Sequence, residues 1–258
     1  MHFIQPDTII PNPANPQSWN RYSYVQNNPI RFNDPTGHRC APEDECSGPR
    51  YTQSARVYNA KWRIKDKFGV TMSDEGDKNK RWDLRNLAIV ESSLQNLDKK
   101  LLGNLKSFSE GWTFKLRSQD SGYHGHTSTD GSMLVEFFTD GRDIVQQNIY
   151  HEVGHVLDNV PGMENIFSRR PGINNADFLD DYGKLDTNAL IDRITPDMYQ
   201  HPYSVYTDDA SDMLYGQAEH WADMFANYVA GNINLASDEG KAMNKFVVSA
   251  LSPYIGIP

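Results

Sequence analysis

The stretch Tyr150-His151-Glu152-Val153-Gly154-His155-Val156-Leu157-Asp158 holds residue types at a spacing that could do chemistry. His151 and His155 are i and i+4, so on a helix both imidazoles leave one face about a turn apart and can grip a single metal ion. Glu152 lies beside that face. A zinc ion with an open coordination position needs two neutral imidazoles and a third ligand, together with a carboxylate that can take a proton from the attacking water. Glu219-His220-Trp221-Ala222-Asp223 supplies the missing acids. Glu219 and Asp223 are again i and i+4, on an otherwise apolar, alanine-bearing segment, where two bare carboxylates repel by about 0.2–0.5 kcal/mol. Zinc on Glu219 and an imidazole N–H on Asp223 would remove that conflict, with Glu219 as third ligand and Asp223 orienting a ligating histidine. His220 competes with Glu219, but neighbouring helical residues point about 100° apart, so only one can face the ion. Glu219 is the expected ligand.

The elements that must position these residues show in the periodicity. Ala55–Phe68 is weakly helical, and Gly69-Val70-Thr71-Met72 reads as a short strand before a polar loop over 73–80. Asp83 to Leu102 has the clearest helical period, with Leu84, Leu87, Ala88, Leu94, Leu97 and Leu101 on one stripe, Asp83 as N-cap and Gly103 just past the end. Trp112–Arg117 alternates as a half-buried strand, and Met133–Phe138 reads as a better buried one. Between them, Tyr123 to Gly131 reads as a solvated loop. Its His124 and His126 could contact substrate, or bind metal if the pair lay on a strand, but no third ligand follows at a useful spacing. Asp143 is placed to cap the next helix, which carries the HExxH segment in its second half and runs toward Pro161-Gly162. Gly154 inside it costs about 1 kcal/mol against alanine. It is either a packing accommodation or room for another backbone or a substrate. Residues 161–216 read as an irregular subdomain closing over the metal, with a short helical hint at Asn188–Ile194. Helical period resumes over Gln217–Ala230 and again over about Asp238–Leu251.

The chain has 258 residues, 38% of them hydrophobic, which is enough for one sizeable core. A formal charge of −9 gives no electrostatic reason to expect nucleic acid or an anionic membrane as partner. No run approaches the length of a membrane-spanning helix, and the first residues lack the pattern of a signal peptide, so any export is expected to be arranged from outside this sequence. Six prolines among residues 1–38 forbid long helices there, and 39–54 is a polar linker. Cys40 and Cys46 lie in that linker and could close a small disulfide loop or be ordinary thiols. The expected organisation is a tail over 1–38, a linker over 39–54 and a catalytic domain over 55–258.

Two resemblances sharpen this. Phe3-Ile4-Gln5-Pro6-Asp7, Asn20-Arg21-Tyr22-Ser23-Tyr24-Val25-Gln26-Asn27-Asn28-Pro29-Ile30 and Asn33-Asp34-Pro35-Thr36-Gly37 resemble the closing segment of an RHS/YD-repeat-associated core. The resemblance implies a β-shell around a C-terminal toxin cargo, secreted or delivered to a target cell as part of a larger protein. It also implies an aspartyl autoprotease in which Asp7 and Asp34 would be the paired carboxylates, although His38-Arg39-Cys40 stands where that family tends to place an apolar residue. His151-Glu152-Val153-Gly154-His155 with Glu219-His220-Trp221-Ala222-Asp223 resembles the gluzincin branch of zinc metallopeptidases, and the order of elements over about 80–250 is similar to lethal-factor-like catalytic domains. This resemblance implies an α+β, zincin-like fold whose edge strand, expected at 133–138, lays out a peptide substrate beside the zinc. It further implies a tyrosine that donates to the oxyanion, for which Tyr206 is the first candidate and Tyr215 the second. The acidic segment Asp208-Asp209-Ala210-Ser211-Asp212 departs from the family pattern just there.

The expectation is therefore a zinc endopeptidase in which His151, His155 and Glu219 hold the metal, Glu152 moves the proton and Asp223 orients an imidazole. The alternative is a binding module, with structural or lost zinc, that recognises a target or an immunity protein without cleaving it. A nuclease cargo is disfavoured by the acidic charge and by the absence of a histidine/asparagine nuclease pattern.

Overall fold

The structure, a computed structural model, describes residues 53–75, 81–118, 125–128, 132–139, 144–159, 165–181, 183–190 and 210–255, without the side chains of 53–54, 210–215 and 254. The chain divides into two units, Met1–Asn59 and Ala60–Pro258. In the first, only the opening turns of helix α1 (Gln53–Phe68) are described. The tail over 1–38 and residues 39–52 of the linker lie outside the described residues, and the described helix begins at Gln53, within the expected linker.

In the second unit, local sequence rules account for most element ends. Ala60, Ile64 and Phe68 share one face of α1 and are buried. The helix stops at Gly69, whose φ of 76° suits glycine and whose N–H bonds the Lys65 carbonyl at 2.8 Å. Strand β1 (Thr71–Ser73) follows. Helix α2 (Leu84–Lys100) starts where Asp83 accepts the Asn86 N–H at 2.7 Å, and it buries Leu87, Val90, Leu94 and Leu97. Ala88, expected on that stripe, is exposed. It lies about 100° from Leu87, whereas Val90 falls within the stripe. A short helix α3 (Leu105–Ser109) leads to β2 (Thr113–Arg117), then β3 (Gly125–Thr127) and β4 (Leu134–Phe138).

The four strands make a small mixed sheet in the order β1-β2-β4-β3, parallel except for the last pair. Alternation buries Phe114, Leu116, Val135 and Phe137 on one face, while Arg117 Nε donates to Glu136 Oε1 at 2.7 Å on the other. The placement of the edge differs from expectation. Strand β4, within 133–138, is interior, because part of the Tyr123–Gly131 stretch read as loop folds back antiparallel along it as β3. Gly-His-Thr has little strand propensity of its own, and its pairing with β4 holds it extended.

Helix α4 (Gln146–Asp158) carries the HExxH segment. Its N-cap is Val145, without a side-chain cap bond, and Asp143, the expected cap, lies outside the described residues. The Asn86 Oδ1 of α2 instead accepts the Ile144 N–H at 2.9 Å and fixes how the chain enters α4. Two 3-10 turns, Ala176–Phe178 and Thr187–Ala189, punctuate the stretch after α4, and the helical hint at Asn188–Ile194 amounts to the second of them within the described residues. Helix α5 (Ala210–Ala230) begins earlier than the expected Gln217 and takes in the end of the acidic segment. It stops at Gly231, φ 75°. Helix α6 (Asp238–Ile255) passes the expected end at Leu251 and contains Pro253. Proline there cannot donate to the Ser249 carbonyl, and Arg170 Nη2 supplies a hydrogen bond to that oxygen at 3.0 Å. Among the described residues, no helix is long and apolar enough to cross a membrane.

Helices α4 and α5 meet at Gly154. A Cβ there would sit 3.0 Å from Ala222 Cα and 3.3 Å from Phe225 Cδ1, so Gly154 is a packing accommodation for another helix. Trp221 Nε1 donates to the Gly154 carbonyl at 3.0 Å across the same contact. Gly154→Val should therefore cost about 1–3 kcal/mol through overpacking. The expected result is a thermal midpoint lowered by at least about 2 °C; an unchanged midpoint would show that the helices do not approach this closely.

Candidate metal centre

One face of α4 and one face of α5 converge on a triangle of donor atoms. His151 Nε2 and His155 Nε2 are 3.1 Å apart, and Glu219 Oε2 lies 3.2 Å from the first and 3.3 Å from the second. Tetrahedral ligands at zinc distances of about 2.0–2.1 Å stand about 3.3–3.4 Å from one another, so the triangle has the size such an ion requires. The side chains are largely buried, at 15%, 14% and 6% relative exposure for His151, His155 and Glu219. These three residues form a group that could hold a metal ion.

The protonation pattern also fits. Asp223 Oδ1 is 2.9 Å from His151 Nδ1, and a carboxylate accepts, so Nδ1 carries a proton and Nε2 faces the triangle. Burial opposes charge on His151, but hydrogen bonds to Asp223 and Glu219 outweigh it and hold the imidazole's pKa well above 6.5. Burial likewise opposes charge on Glu219, yet the two histidines hold its carboxyl below the usual carboxylate range. Without a metal, the neighbouring carboxylates thus favour a proton on His151 Nε2, facing Glu219. A metal ion would replace that proton and leave the Nδ1 bond to Asp223 intact.

Comparison with protein families, curated proteins and solved structures gives no match.

The remaining candidates divide by position. Glu152 is buried one residue from His151, and its Oε2 accepts from Thr127 Oγ1 at 2.7 Å. His220, the competitor of Glu219, points away from the triangle and lies edge-on to Phe178 with ring centroids 5.9 Å apart. Burial pushes its pKa down to about 4 despite the nearby Asp223, so it is a neutral core histidine. His126 is exposed on β3. Gly125 and Thr127 turn toward Glu152, so alternation sends His126 to the opposite face, away from the metal centre. Asp7, Asp34, Cys40, Cys46, His124 and Tyr206 lie outside the described residues, as does the side chain of Tyr215.

Sequence reasoning missed three residues that shape the site. Thr127 and Gly125 sit against Glu152 by a pairing of β3 that no local pattern announces. Asp158, at the end of α4, is fully buried and accepts the Phe167 and Ser168 N–H groups at 2.7 and 2.8 Å, tying the following loop to the helix that carries His151 and His155. The signal for Asp158 was present as a carboxylate at the C-terminal end of a helix, where the dipole disfavours it unless donors meet it.

Asp223→Asn should weaken metal affinity by about 10–100-fold, because the His151 tautomer and ring orientation lose their anchor. Competition titrations with a chromophoric chelator measure this. The same titrations across pH should show affinity rising from pH 6.5 upward, since the proton displaced from His151 is held more tightly than in a free imidazole. Affinity flat across that range would contradict the exchange of proton for metal.

Proposed function

We propose that the chain is a zinc-dependent endopeptidase of gluzincin type with a zincin-like fold, carried as the C-terminal toxin cargo of an RHS protein. The observation that carries this reading is the His151, His155 and Glu219 triangle with Glu152, a carboxylate that is not part of it, one residue away. Two imidazoles and one carboxylate suit zinc, and three protein ligands leave the open position that separates a catalytic site from a closed structural one. The active-site helix beside a small mixed sheet with an antiparallel edge strand supports the zincin-like comparison.

When bound, zinc would supply the Lewis acidity that polarises a peptide carbonyl and activates water. The chain's own residues divide the rest of the work. Asp223 keeps the proton on His151 Nδ1 so that Nε2 offers its lone pair. Glu152 takes a proton from the attacking water and passes it to the nitrogen of the departing amine. Substrate alignment falls to β3. Ser128 N–H bonds the Leu134 carbonyl at 2.9 Å, which makes Ser128 and Leu134 a hydrogen-bonded pair. By alternation the backbone groups of Thr127 and Gly125 then point away from β4, along a side where no described strand pairs. An extended protein or peptide substrate could add there as a further strand. Tyr206 or Tyr215 remains the proposed oxyanion donor, and Asp7 with Asp34 the proposed autocleavage pair. An immunity protein and the RHS shell of the parent chain are the proposed protein partners.

The test joins metal analysis to cleavage. The purified full chain should hold one zinc, lose proteolysis of unfolded casein on chelation, and slow by about 10²–10⁴-fold in Glu152→Gln with zinc retained. A chain that holds zinc but cleaves no peptide would be the non-catalytic binding module instead, and cleavage undiminished in Glu152→Gln would contradict the role given to Glu152.

A further inference from the structure

We infer that Thr127, on the edge strand β3, is the positioning residue for Glu152, so that the strand proposed to receive the substrate also sets the base. The inference rests on the peptidase reading above. Thr127 is buried, and its Oγ1 lies 2.7 Å from Glu152 Oε2 and 3.1 Å from the Glu152 carbonyl oxygen. A threonine hydroxyl has one proton to donate. The shorter distance assigns it to the carboxylate.

Gly125 acts on the other oxygen of the same carboxylate. A Cβ at position 125 would come 2.4 Å from Glu152 Oε1, 2.6 Å from Cγ and 2.7 Å from Cδ. No side chain larger than hydrogen fits without moving the carboxylate. Gly125 and Thr127 share one face of β3, so a single three-residue strand leaves room for Oε1 and holds Oε2.

The consequence is a coupling between substrate alignment and base position. The backbone groups of the same two residues face the side of β3 where no described strand pairs, so a peptide paired there is in register with the strand that fixes Glu152. A glutamate has three side-chain torsions and could otherwise sample several positions. Misplacing a reacting group by about 1 Å can cost about 10²-fold in rate. Thr127 would matter in the turnover step more than in binding or in holding metal.

A purely structural role for Thr127, satisfying the Glu152 carbonyl, makes a different prediction, and matched variants of the full chain separate the two. With fluorescent unfolded casein as substrate, Thr127→Val should lower kcat by about 10–100-fold, leaving KM and zinc content unchanged, and Thr127→Ser should recover most of the loss. Gly125→Ala should lower kcat without loss of zinc, giving an independent check should Thr127→Val fold poorly. Infrared spectroscopy supplies a readout that needs no turnover. The carboxylate band identified by its disappearance in Glu152→Gln should shift in Thr127→Val and stay in place in Thr127→Ser, with and without metal. A Thr127→Val chain with wild-type kcat, a Thr127→Ser chain as slow as Thr127→Val, a Gly125→Ala chain at wild-type rate, or an unmoved band would overturn the inference. If Glu152→Gln itself cleaves like wild type, the peptidase reading fails, and the infrared band still decides whether Thr127 holds Glu152.

Discussion

The centre depends on how closely two helices can approach. Gly154 presents no side chain to Ala222, so α4 and α5 come together until Trp221 can donate to the Gly154 carbonyl. That contact lies between His151 and His155 in one helix and Glu219 and Asp223 in the other, and it sets the distance across which the donors meet. Most helix pairs are separated by about 8–10 Å between axes according to the side chains at the contact. A larger residue at 154 would widen the gap just where ligand atoms must stand about 3 Å apart. The glycine's cost in helix propensity is thus offset by the geometry it permits.

Around that contact, ionisable groups are arranged so that each buried charge has an opposite neighbour. His151 lies between Asp223 and Glu219, and Glu219 touches both His151 and His155. Stranding any one of these charges in the interior would cost several kcal/mol, so the cluster is either paired by protons or paired by a metal. Glu152 is held differently: its carboxylate accepts from a hydroxyl of the sheet, while its charge adds to those that keep the proton on His151. His220, though buried beside them, has an apolar neighbour in Phe178 and takes no part.

What could be seen in the sequence follows from which constraints are local. The i, i+4 spacing of His151 with His155 and of Glu219 with Asp223 is a property of the helix itself, so the ligand faces were legible before any fold was known. The Asp83 cap was legible for the same reason. Strand β3 was not. Gly125-His126-Thr127 is three residues long, and only its register against Val135, Glu136 and Phe137 makes it a strand. Missing it moved the sheet's edge to 133–138 and hid Thr127 and Gly125 from view. The role of Gly154 was likewise open until the identity of the facing residue, Ala222, was known. The entry into α4 was not legible either, because the chain is held at Ile144 by Asn86 of α2, far away in sequence, and the helix has no side-chain cap of its own.

The most direct test of the metal centre is the coordination shell itself. X-ray absorption at the zinc edge of the purified full chain should show two imidazole nitrogens and one carboxylate oxygen at about 2.0–2.1 Å. The imidazole contribution should fall by half in His155→Ala, and the carboxylate contribution should vanish in Glu219→Ala. A shell dominated by sulfur, or a spectrum indifferent to both substitutions, would contradict the account.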